Sequence, residues 1–105
     1  MRILFDQGTP APLRRHLTAH IVETAYDRGW SSLENGALLS AAEQAGFEIF
    51  ITTDQSLRYQ QNLAHRTISI VVLPTTRWPV IEQHGREIAT AVDTIRPREF
   101  LELDW

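Results

Sequence analysis

Ile49-Phe50-Ile51-Thr52-Thr53-Asp54 runs apolar and β-prone, then stops on an aspartate followed by the polar, turn-forming Gln55 and Ser56. Near the start of the chain Arg2-Ile3-Leu4-Phe5-Asp6 follows the same pattern, ending at Gln7-Gly8-Thr9-Pro10. An acid at the end of a buried strand points to chemistry. In open α/β sheets the strand carboxyl ends open onto the crevice where ligands bind, so Asp6 and Asp54 can share one site.

Outward from these two strands the chain alternates. Gly8 permits a turn, Thr9 can cap a helix whose first position is Pro10, and that helix runs to about His16 or Leu17. Ile21 to Ala25 reads as a second strand and Asp27 to Ser32 as a loop. Leu38, Ala41, Ala42 and Ala45 recur at helical spacing before Gly46, which places a helix over about residues 35 to 45. The third strand is about 48 to 52, a short helix covers Leu57 to Leu63, and Ile68 to Leu73 forms a fourth strand, apolar throughout as in a sheet covered on both faces. A loop from Thr75 to Pro79 leads to a last helix with Ile81, Ile88, Val92 and Ile95 on one side, ended by Pro97. The tail Phe100-Leu101-Glu102-Leu103-Asp104-Trp105 alternates apolar with acidic, as an edge strand or a partner-binding segment would.

This order implies an α/β fold, three layers α/β/α, with a mostly parallel four-stranded sheet joined by right-handed crossovers. The order 2-1-3-4 sets strands one and three beside each other at the point where the winding reverses, with Asp6 and Asp54 side by side. A C-terminal edge strand can extend that sheet.

Composition narrows the chemistry. The 105 residues fit one domain spanning 1–105, and 43% hydrophobic content supplies its core. No apolar run approaches the roughly 20 residues that cross a bilayer, and Asp6 interrupts the N-terminal apolar run, so no membrane association and a cytoplasmic location are expected. Without cysteine there are no disulfides, thiolate nucleophiles or cysteine-rich zinc sites. A net charge of −3 argues against general electrostatic binding of nucleic acid, so any such contact has to be local. All ten basic residues are arginine, which excludes every reaction needing a lysine amine. That includes the phospho-accepting receiver domain, which also places acids at strand ends but pairs the phosphoryl group with a lysine. His16, His20, His65 and His84 show no zinc-ligand spacing, and no serine lies in a glycine-flanked elbow.

Paired carboxylates repel unless a cation or proton lies between them, and magnesium and manganese prefer carboxylate oxygens. Asp6 and Asp54 are therefore the candidate metal ligands. The alternative is that each caps a helix or turn. Arg58, one short turn beyond Asp54, and Arg77, in the loop after strand four, are candidates to hold phosphates, and Trp78 could stack a base or pack a corner of the core.

Ile3-Leu4-Phe5-Asp6 with its Pro-containing helix start, Asn35-Gly36-Ala37-Leu38-Leu39 opening the second helix, and Ile51-Thr52-Thr53-Asp54-Gln55-Ser56-Leu57 together resemble the compact PIN-like family over about residues 1 to 73. The resemblance implies a Mg2+- or Mn2+-dependent ribonuclease acting on single-stranded RNA, often the toxin neutralised by a small antitoxin. Carried over residue by residue, it implies Asp6, Asp54 and Asn35 as catalytic residues, the two aspartates holding the metal. The chain departs from the pattern where Asn35 and Ser56 replace acids found in many relatives, with Glu34 alongside Asn35. Fewer carboxylates hold a divalent ion less strongly, which leaves a catalytically weak or inactive binding module as the other reading. In either case exposed Leu103 and Trp105 would need covering by an antitoxin or a second copy of the chain.

Overall fold

Ile, Val, Leu and Phe concentrate in runs of three or four residues that become strands, and the side chains of the central strands divide between two cores. In the computed structural model, which describes residues 1–60 and 62–105, the strands are β1 (Arg2–Phe5), β2 (Ile21–Thr24), β3 (Ile49–Thr52), β4 (Ser69–Val72) and β5 (Phe100–Glu102). The helices are α1 (Asn35–Gln44), α2 (Leu57–Gln60), α3 (Trp78–Gln83) and α4 (Gly85–Thr94), with a 3-10 helix over Ala11–His16. The sheet order is β2-β1-β3-β4-β5 and every pair is parallel. The expected 2-1-3-4 order thus stands, with the C-terminal edge strand added beside β4.

Alternation along the strands assigns the faces. Ile3, Phe5, Ile49, Ile51 and Val71 join Leu13 and Leu17 from the 3-10 segment and Ile81, Ile88 and Val92 from α3 and α4. Leu4, Phe50, Ile70 and Val72 join Leu38, Leu39 and Ala42 of α1 and Leu57 of α2. Both faces are covered, which is why β3 and β4 are buried at every position.

The topology departs from expectation in one connection. β1 to β2 steps one way across the sheet over the first face; β2 to β3 and β3 to β4 step the other way over the second face, so these three share one hand. β4 to β5 continues in that second direction but passes over the first face, so it has the opposite hand. Parallel crossovers are right-handed in about 98% of cases. The exception has a packing cause. The six-residue 3-10 segment is too small to cover the first face, and α3 with α4 fills the remainder before the chain returns to the far edge.

Local details also differ from the sequence reading. The segment after Pro10 is 3-10, and Thr9 does not cap it: its hydroxyl turns back to Asp6. Gly46 stops α1 as expected, at φ 86°, with the Phe47 N–H donating to the Ala42 carbonyl. Of the expected helix over 57–63, residues 57–60 are helical, Asn62 and Leu63 are not, and position 61 lies outside the described residues. Trp78 and Pro79, read as loop, open α3, and the last helix is two helices that meet at His84. The tail does not stand free. Leu101, Leu103 and Trp105 pack on the first-face core, and the Trp105 ring stacks on His84 at 4.1 Å and 3°. Leu103 and Trp105, expected to be exposed, are half-buried.

Candidate functional site

Parallel register fixes how the two acids meet. Phe5 pairs with Ile51, which sets Asp6 level with Thr52 and Asp54 beyond both. The strands are neighbours, but the carboxylates are offset and Thr52 stands between them. Its hydroxyl donates to Asp6 Oδ2 at 2.5 Å and accepts the Asp54 N–H at 3.0 Å. A strand-end threonine thus links the Asp6 carboxylate to the Asp54 backbone, not to its carboxylate. A hydroxyl residue inside Ile-Phe-Ile-Thr-Thr-Asp was the only sequence sign of that role.

Asp6 is 7% exposed. Its Oδ1 accepts the Thr9 backbone N–H at 3.0 Å and the Thr9 hydroxyl at 2.6 Å, so the side chain also closes the turn after β1. Burial pushes the Asp6 carboxyl above the ordinary carboxylate range, opposed by the hydrogen bonds from Thr52 and Thr9.

Asp54 is more accessible and lies in a different electrostatic setting. Its Oδ1 accepts the Ser56 hydroxyl at 2.7 Å and the Ser56 N–H at 3.0 Å, and its Oδ2 accepts the Asn35 amide at 2.7 Å. The Ser56 hydroxyl foremost, with its N–H and Asn35, holds the Asp54 carboxyl below its ordinary value against a modest burial effect. Asn35 also donates to Gln60 Oε1, and Gln60 donates to Ser56 Oγ at 2.7 Å. Gln60, which sequence reasoning passed over, completes this polar ring.

Asp6 and the Asn35 side chain that holds Asp54 adjoin separate spaces. Asp6 lines a cavity of about 400 Å3 with Gly8, Thr9, Arg14, Tyr26 and Asp27. Asn35 lines one of about 550 Å3 with Glu34, Gly36, Ala37 and Gln60, at the α1 N-terminus. Gln7 ties the two sides, its amide donating to the Ser31 and Leu33 carbonyls ahead of α1.

The proposed phosphate and base contacts are placed unequally. Arg58 pairs with Glu102 of β5 at 2.8 Å, its guanidinium over the Phe100 ring. Arg77 is exposed in the loop after β4. Trp78 packs against the first-face core, 6.3 Å from the His16 ring. Three histidines make contacts along or between elements: His16 against Trp78, His20 with Asp93 of α4 at 2.8 Å, and His84 with Glu87 in the first turn of α4 at 2.8 Å.

The donors around Asp54 are all oxygen in kind: its carboxylate, Ser56 Oγ, Gln60 Oε1 and, with its amide turned over, Asn35 Oδ1. That chemistry suits one magnesium or manganese ion. Among the described residues no group of three or more His, Cys, Asp and Glu side chains is placed to hold a metal, so such an ion would rest on a single accessible carboxylate and neutral oxygens. Among the described residues no helix is long and apolar enough to cross a membrane. No protein-family model, curated protein or solved structure matches the chain.

Proposed function

We propose that the chain is a PIN-like ribonuclease that hydrolyses RNA phosphodiesters with Mg2+ or Mn2+ and serves as a toxin component. The observation that supports it is the strand-end pair Asp6 and Asp54, joined through Thr52 at the carboxyl edge of a parallel sheet where the winding reverses. When bound, the cation supplies a water of lowered pKa and a counter-charge for the phosphate. Asp54 is the anchoring ligand, its carboxylate form favoured by the donors on Ser56 and Asn35. Asn35 contributes its amide oxygen once the side chain turns over, and Asp6 acts through the Thr52 hydroxyl, fixing the β3 end. Arg77 meets substrate phosphates. Arg58 joins it when phosphate displaces Glu102, an exchange that a half-exposed pair permits because such pairs contribute only about 0–1 kcal/mol.

The test is cleavage of single-stranded RNA with manganese supplied. Asp54→Asn should abolish it while circular dichroism shows the variant still folded at the assay temperature. Undiminished cleavage by the variant overturns the reading.

One observation favours a second reading, a catalytically weak PIN-like module that acts through a protein partner: the Asn35 amide and the Ser56 donors already satisfy Asp54. Calorimetry at millimolar manganese separates the two. Absence of heat fits the module, and binding that disappears in Asp54→Asn fits the nuclease.

A further inference from the structure

Both tyrosines of the chain lie open to solvent, Tyr26 at 81% and Tyr59 at 82% exposure. One exposed aromatic needs no explanation. These two stand at the same end of the sheet as the acids. Tyr26 follows the carboxyl end of β2, and Tyr59 is in α2, which starts just past the carboxyl end of β3. β2 and β3 are the two neighbours of β1, so the tyrosines flank Asp6 from either side. Arg58, beside Tyr59, reaches Glu102 of β5, four strands from β2, so at about 4.8 Å per strand the two rings are on the order of 20 Å apart, a span of several nucleotides of one strand.

Each tyrosine has an arginine beside it. Tyr26 and Arg14 line the Asp6 cavity together, and Arg14 is 43% exposed with a 3.3 Å pair to Asp27. Tyr59 lies 5.9 Å from the Arg58 guanidinium, itself 50% exposed. An aromatic face paired with a guanidinium is how single strands are held without sequence preference: the ring stacks a base and the cation meets the backbone. Each arginine is held by an acidic partner, Asp27 or Glu102, in a half-exposed pair that a backbone phosphate can displace. Trp78, the aromatic residue singled out in the sequence, is committed to the core.

We infer that Tyr26 and Tyr59 are the base-stacking residues for single-stranded RNA, with Arg14 and Arg58 as their phosphate partners. The inference rests on the ribonuclease reading and assigns its substrate contacts.

Fluorescence anisotropy of a labelled single-stranded oligoribonucleotide, at low salt with EDTA, measures binding apart from cleavage. Tyr26→Ala and Tyr59→Ala should each weaken binding by about 5- to 150-fold, and Tyr26→Phe and Tyr59→Phe should retain it within about twofold, since the ring and not the hydroxyl stacks. Circular dichroism melts report that the variants fold. Wild-type binding that both alanine variants retain overturns the inference while manganese-dependent cleavage leaves the ribonuclease reading standing. A wild-type chain that neither binds nor cleaves overturns both.

Discussion

At Asp6 the carboxyl is enclosed among hydroxyl donors, so ionising it forfeits more solvation than Thr9 and Thr52 return. A carboxyl whose folded pKa exceeds its unfolded one holds its proton more tightly in the folded chain. Its contribution to stability is full below the unfolded pKa and is lost as pH rises through the folded pKa. Asp54, held below its ordinary value, contributes in the opposite sense, above the unfolded pKa, and loses that contribution as pH falls through its depressed folded value. Asp6→Asn removes the first titration and leaves the second. Relative to wild type, the variant should therefore gain stability in urea melts as pH rises from the ordinary aspartate value of 3.8 through the raised folded one, and a pH-independent difference counts against this account. Asp6→Ala strands the Thr9 and Thr52 hydroxyls and should cost about 1–3 kcal/mol across that range.

Among the elements, the junction of α3 and α4 shows what the sequence conveyed and what it withheld. Ile81, Ile88, Val92 and Ile95 do line one face, because helical periodicity is set by burial and survives the break. The break at His84 was not legible, since its causes lie far along the chain: the His84 ring stacks on Trp105, and Gly85 abuts His16 of the 3-10 segment. A Cβ at Gly85 would clash with His16 Nδ1 and meet Cγ at 2.7 Å. Gly85→Ala should therefore destabilise by about 1–3 kcal/mol through overpacking, despite the better helix propensity of alanine. In a His16→Ala background the same change should become neutral or stabilising, and a double-mutant cycle measures that coupling. At the candidate site the two acids were legible as strand ends with turn chemistry. Their offset was not, because register between strands far apart in sequence is a tertiary property, and neither Thr52 as the link nor Gln60 as a ring member follows from residue type.

For the molecule as a whole, the reversed hand of the last connection makes the C-terminal segment structural. α3 and α4 are drawn over the first face to cover what the 3-10 segment leaves bare, and the chain then has to reach the far edge of the sheet. It turns at Arg98, at φ 65°, with the Glu99 N–H donating to the Arg96 carbonyl at 3.2 Å, and lays β5 along β4. From there Leu101, Leu103 and Trp105 join the first core while Phe100 joins the second, so one short strand closes both. Two roles for this tail predict opposite results on deletion of residues 99–105. A tail serving as a dimer contact would leave a stable monomer behind. A tail that seals the fold removes four half-buried apolar side chains, about 4 kcal/mol at half the usual burial value, from a domain whose total stability is on the order of 5–15 kcal/mol. The deletion also bares the outer edge of β4, whose Ser69–Val72 run is buried at every position in the intact chain. The truncated chain should melt well below the full chain and sediment as aggregates. A well-folded truncated monomer rules out the sealing role.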